Sequence, residues 1–218
     1  MGAGPRPSGA VGLGARPAPP DDREAGPGEH RLFIAVALPE AVRDRVSVVV
    51  DAARAATGDA RGIRWVGPDG LHLTLRFLGA TPAGRVASAA AAVAEAARSV
   101  GPFEVRLAGS GAFPGASAPR VLWLGVDRGG PELAALSRAL DAALAARGWP
   151  SDPRPFRAHL TLARCEDPAV GRAAAAAVAH VAAGVQAAWR AGSLVLYESH
   201  LGRGPARYAV VAEDRLGT

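Results

Sequence analysis

The chain has 218 residues and a formal net charge of +5, a length that suits one sizeable domain or two small lobes. Its 25 basic residues are all arginine and its single cysteine is Cys165; this excludes an intrachain disulfide framework and suits a reducing cytoplasm. No apolar run approaches the roughly 20 residues of a membrane span, and the N-terminus lacks the charged start and continuous apolar stretch of a signal peptide.

Residues 1–30 are Gly, Pro and Ala with scattered charge. No period survives there, so a disordered extension is expected. Order is expected from Arg31, with residues 31–218 as one domain. Residues 32–38 form an apolar run ended by Pro39 and read as a buried strand. A helix follows to about Ala56, with Val42, Val46 and Val49 or Val50 inward. Residues 63–66 are a short extended piece, 67–70 a turn and 71–77 a strand. An alanine-rich helix is expected from Pro82 to Val100, then a half-buried strand over 103–107 and a loop over 109–119. The order then recurs: a strand at 121–126, an amphipathic helix at 131–147, a loop at 150–155, a strand at 156–164, an alanine-rich helix at 168–183 and a strand at 192–197. A last strand covers 207–211.

One tetrapeptide is written twice in matching places. His72-Leu73-Thr74-Leu75 recurs 87 residues later as His159-Leu160-Thr161-Leu162. Leucine and threonine suit strands, where residues i and i+2 share a face. His72 and Thr74 therefore face one way, as do His159 and Thr161, with the leucines turned to a core. The fold class expected is α+β: a duplicated, two-lobed unit with halves at about 31–110 and 119–200. Antiparallel sheets would face a central cleft, with helices on the outer faces.

An unperturbed histidine titrates near ~6.5, so two across a cleft supply an acid and a base together, each worth roughly 10²–10⁴ in rate. The threonine hydroxyls can donate to oxyanions. Such a symmetric site suits phosphate, with attack on one side and departure on the other. Arginine adds a bidentate phosphate partner, although the arginine bias is also what a GC-rich genome would produce. Competing readings are structural histidines and a zinc site using Cys165 and Glu166. The duplication argues against the first; the second lacks further ligands at metal spacing. A nucleophile elbow and a Walker-type phosphate loop are both missing from the sequence.

With these motifs the chain resembles the two-histidine phosphoesterase superfamily, and within it the RNA 2′,3′-cyclic phosphodiesterase (2′-5′ RNA ligase) family. The likeness extends to Arg31-Leu32-Phe33-Ile34-Ala35, Arg64-Trp65-Val66, Gly111-Ala112-Phe113-Pro114 and Leu196-Tyr197-Glu198-Ser199. It departs from the family at Ala158 and Ala37, where proline and an acidic residue are usual. The resemblance implies hydrolysis of RNA 2′,3′-cyclic phosphate ends to 2′-phosphates with no metal and no cofactor, and a reversible ATP-independent 2′-5′ joining. By position, His72 is then the proton donor and His159 the proton acceptor. Thr74, Thr161 and Arg164 hold the phosphate. Arg76, at i+4 from His72, and Phe33 are accessory candidates: Arg76 either assists or is a solvent-facing charge, and Phe33 either offers a base-stacking surface or, the favoured reading, packs in the core. The expected partner is an RNA end bearing the cyclic phosphate, with no membrane, and the protein is expected to be a cytoplasmic monomer. Two alternatives stay open: a non-catalytic RNA or nucleotide-binding module, and a sister two-histidine enzyme for another cyclic phosphate or a 2′-5′ oligonucleotide.

Overall fold

The structure, a computed structural model, describes residues 25–58, 60–201 and 206–218. Most of the extension expected to be disordered, residues 1–24, lies outside the described residues. Its last residues do not behave as a tail. Strand β1 runs Glu29–Ala37, and His30 Nδ1 lies 2.9 Å from Glu198.

The elements follow in the order β1, α1 (Glu40–Thr57), β2 (Ile63–Trp65), β3 (His72–Pro82), α2 (Val86–Ala97), β4 (Phe103–Phe113), β5 (Val121–Arg128), α3 (Gly130–Ala145), β6 (His159–Cys165), α4 (Pro168–Ala182), β7 (Ala187–Ala191), β8 (Ser193–His200) and β9 (Arg207–Arg215). The fold is α+β with two antiparallel sheets. One sheet has the order β3-β1-β8-β9 and the other β2-β6-β5-β4-β7. Helices α2 and α3 pair against the first, and α1 and α4 pair against the second. Each sheet thus carries two helices, one from each half of the chain.

Several boundaries differ from the sequence reading, chiefly through long-range strand pairing. β3 continues to Pro82 because β1 pairs with it as far as Glu29↔Pro82, so the helix after it starts four residues late. β4 continues through the expected loop to Phe113, since residues 110–113 pair with β5. The Gly-rich composition there reflects close packing: a Cβ on Gly111 would lie 2.3 Å from the Trp123 ring. β7 has no counterpart in the sequence reading. Its alternation, Ala187, Trp189 and Ala191 inward with Ala188 and Arg190 outward, merges with β8 in a sequence without a clear turn. The zinc alternative loses its sulfur, because Cys165 is buried in the hydrophobic core.

The core lies between each sheet and its helix pair. Leu73, Leu75, Leu160 and Leu162 are all buried there, at no more than 6% exposure, as the His-Leu-Thr-Leu pattern requires. At ~25 cal/mol per Å² of apolar surface, each contributes roughly 2 kcal/mol. Helix α4 starts where it does because Asp167 caps it, its Oδ1 accepting from the backbone N–H of Ala169 (2.7 Å) and Val170 (3.0 Å). That fixes the C-terminal end of β6 two residues upstream.

Candidate active site

The two motif strands come from different sheets yet run against each other: β3 is the edge of one sheet, and it contacts β6 of the other. His72 opens β3 and His159 opens β6, so the polar faces of both copies look into the space between the sheets. All four motif side chains, His72, Thr74, His159 and Thr161, are partly exposed, while the leucines between them are buried.

Both strands carry a bulge at the same place. In β3, Ala35 pairs with Thr74 and Ile34 with Arg76, leaving Leu75 as the extra residue. In β6, Trp123 pairs with Thr161 and Leu122 with Ala163, leaving Leu162 extra. A bulge inverts the alternation beyond it. The residue at i+5 from each histidine, not i+4, returns to the cleft face: Phe77 in β3, opposite Phe33, and Arg164 in β6, opposite Val121.

This one distortion decides two of the candidate residues. Arg164 is brought to the histidines, and its positive charge acts on His72, His159 and Tyr208 alike. Arg76 is turned away. It shares the face of the fully buried Ile34 and is itself 7% exposed. Its guanidinium meets Asp141 of α3 at 3.3 Å and Asp152 at 3.5 Å, and donates to the Pro150 carbonyl. Arg76 ties β3 to the segment leading into β6 and does not line the cleft.

Backbone carbonyls orient both histidines from two residues upstream. His159 Nδ1 is 2.7 Å from the Arg157 carbonyl, so that nitrogen is the donor and Nε2 is left with its lone pair. The His72 ring makes the corresponding hydrogen bond to the Gly70 backbone.

Aromatic rings pack beside each. Phe33 lies 4.6 Å from the His72 ring, with Tyr208 edge-on at 5.3 Å and Tyr197 at 6.2 Å. Phe113 stands edge-on to His159 at 4.9 Å, and Trp123 lies at 6.5 Å. Phe33 is only 3% exposed, so it backs His72 and offers no face to a base. Phe77, 6.0 Å from Phe33, is the exposed ring on this wall, at 36%.

Burial among these rings disfavours the imidazolium. It lowers the pKa of His72 to about 4, with the Arg164 charge adding to the effect and the Gly70 hydrogen bond opposing it. His159 is lowered by the same burial, opposed by its bond to Arg157 and reinforced by Arg164. Burial also raises the phenols of Tyr197 and Tyr208, so both stay protonated and able to donate. At neutral pH the unliganded cleft therefore holds two neutral imidazoles beside the threonine hydroxyls and the Arg164 guanidinium. It has proton acceptors and oxyanion donors but no carboxylate among those residues.

The model of the 2′-5′ RNA ligase superfamily matches residues 39–203, which include both motifs. The chain belongs to this superfamily. Over 139 residues it is 37% identical to a Methanothermobacter thermautotrophicus protein named RNA 2′,3′-cyclic phosphodiesterase, covering 63% of this chain and 72% of that one. A Thermus thermophilus protein of the same name is 37% identical over 148 residues, covering 64% and 70%. Among solved structures, TT0787 of Thermus thermophilus superposes with a TM-score of 0.67 at 31% identity, over 86% of this chain and 98% of that one. E. coli LigT complexed with 3′-AMP gives 0.65 at 27%, over 87% and 99%.

The sequence reading missed the aromatic lining of Phe113, Trp123, Tyr197, Tyr208 and Phe77. Phe113 and Tyr197 stand in segments that resemble the family, but nothing local marks them as neighbours of a histidine far along the chain. Phe77 could have been found: it occupies in the first motif the place that Arg164 occupies in the second.

Proposed function

We propose that this protein hydrolyses 2′,3′-cyclic phosphate ends of RNA to 2′-phosphates, with His72 and His159 as a proton-transferring pair and without a metal ion. The observation that carries the reading is the paired set of bulged His-x-Thr strands on facing sheets, with Arg164 acting on both rings. The names of the relatives supply the substrate class.

In this mechanism His159 Nε2 takes a proton from water as the water oxygen attacks phosphorus. The P–O3′ bond breaks opposite, and O3′ takes a proton from His72, leaving the phosphate on O2′. Thr74 and Thr161 donate to the non-bridging oxygens, and Arg164 offsets the charge that builds there. His72 must carry a proton for its step. Burial, reinforced by Arg164, holds its pKa to about 4; the anionic phosphate opposes both effects, since a negative charge beside the ring favours the imidazolium and offsets the arginine. Replacing water by a 5′-hydroxyl gives a 2′-5′ linkage through the same bond changes, and the reverse run cleaves it.

The test is incubation of the purified protein with adenosine 2′,3′-cyclic phosphate in excess EDTA. Adenosine 2′-phosphate is the expected product. No turnover would overturn the reaction and leave a binding module as the reading; loss of turnover on chelation would overturn the metal-free mechanism; adenosine 3′-phosphate would overturn the assignment of donor and acceptor.

A further inference from the structure

The cleft wall built on β6 does not end at Arg164. In the antiparallel pair of β2 and β6, Arg64 lies directly opposite Arg164, with Ile63 opposite Cys165 and Trp65 opposite Ala163. Directly paired residues project from the same face of a sheet. Cys165 and Ala163 are buried in the core, and Ile63 and Trp65 pack against it. Arg64 therefore shares the cleft face with Arg164 and is exposed.

Two guanidinium groups on directly paired residues, with Cα atoms ~4.5–5.5 Å apart, repel each other and destabilise the pairing. No carboxylate pairs with Arg64 among the described residues. β2 is the outermost strand of its sheet, so Arg64 stands one step from the reaction centre toward open solvent. From β2 the chain turns through Pro68–Gly70 directly into His72, so Arg64 and His72 are held on one short, hydrogen-bonded segment. Val66 N–H donates to the Leu162 carbonyl at 2.8 Å, and Leu71 N–H to Pro68 at 3.2 Å.

We infer that Arg64 binds a second phosphate, the one on the 5′ side of the nucleotide that carries the cyclic phosphate. This rests on the proposed reaction and adds to it the direction in which the RNA leaves the cleft, over β2. Arg164 takes the reacting phosphate and Arg64 the preceding one, so a 5′-phosphorylated or internucleotide-linked end is preferred over a bare nucleoside cyclic phosphate. An arginine suits this position because it binds a phosphate through two N–H groups without needing a buried site.

The experiment compares adenosine 2′,3′-cyclic phosphate with its 5′-phosphorylated form, in the wild-type protein and in Arg64→Gln. In the variant, kcat/KM for the 5′-phosphorylated substrate is expected to fall about tenfold, the size of one charged hydrogen-bonded contact, with the change in KM. For the unphosphorylated substrate it is expected to stay within about twofold by the same reasoning. The salt dependence of kcat/KM for the phosphorylated substrate is expected to flatten in the variant, because one screened charge contact is gone. Equal losses on both substrates, or no loss on either, would overturn the inference.

Equilibrium binding of adenosine 2′-phosphate and adenosine 2′,5′-bisphosphate gives a readout that needs no turnover. Selective weakening of the bisphosphate in Arg64→Gln supports the second phosphate site even if the proposed reaction fails. Identical binding of both ligands by both proteins overturns the site while leaving the reaction standing.

Discussion

The depressed pKa of His72 makes a prediction about stability that can be tested without a substrate. Unfolded, a histidine titrates at 6.5; folded, His72 titrates at about 4, chiefly because it is buried among Phe33, Tyr197 and Tyr208. Between those values the unfolded chain binds a proton that the folded chain refuses. Stability from this site is therefore complete above about pH 6.5, falls as the pH drops toward 4, and changes no further below it. Each pH unit in that window is worth about 1.4 kcal/mol, so the site accounts for a loss of about 3 kcal/mol between pH 7 and pH 4. That is a large part of the ~5–15 kcal/mol that holds a typical domain together.

The perturbation is His72→Gln, which keeps a polar side chain and removes the titration. Urea unfolding of both proteins at half-unit intervals from pH 7.5 to 4 gives the comparison. Other groups titrate as well: Asp152 is held below its usual range by Arg154, and His159 is lowered like His72. They are common to both proteins and cancel in the difference. The wild type is expected to lose about 3 kcal/mol more than His72→Gln across the window. Parallel curves would refute the burial argument, and with it the claim that the unliganded site holds a neutral His72.

Arg164→Gln removes a positive charge that acts on both histidines, so the pKa of each is expected to rise; NMR titration of the ring protons reads this directly, and an unchanged His72 would contradict the geometry. Arg76→Ala is expected to destabilise the fold by about 2 kcal/mol, because Asp141 and Asp152 lose their shared, partly buried cation, while KM for the cyclic phosphate stays as in the wild type. A raised KM would return Arg76 to the cleft. Gly111→Ala places a methyl against the Trp123 ring, which must move; with Trp123 and Phe113 lying beside His159, kcat is expected to fall about tenfold, and overpacking is expected to lower thermal stability as well.

Much of the fold was legible because its signals are local. The leucines of the two motifs, the valines of α1 and the leucines of α3 state their buried faces by spacing alone. The sheets were harder to read, because sequence halves and sheets do not coincide. β4 joins the sheet of the second motif and β8 the sheet of the first, and long-range pairing of this kind leaves no local trace.

The bulges at Leu75 and Leu162 show the same limit within one strand. Regular alternation placed Arg76 on the histidine face, and one extra residue reversed it. Arg164 was found through its resemblance to a family pattern, where periodicity by itself would have turned it into the core. The aromatic rings beside the histidines arrive from β4, β5, β8 and β9, so their role became visible only when those strands were in place.

Whether His72 and His159 act as a pair on a cyclic phosphate is read from the rate of adenosine 2′,3′-cyclic phosphate hydrolysis in EDTA by the wild type, His72→Ala, His159→Ala and the double variant. Each single substitution is expected to lower kcat by roughly 10²–10⁴. The double variant is expected to lose little beyond the worse single, because a transfer needing both groups fails when either is gone. Turnover that survives either substitution at near wild-type rate, or a wild type that binds the ligand and never converts it, would contradict the account.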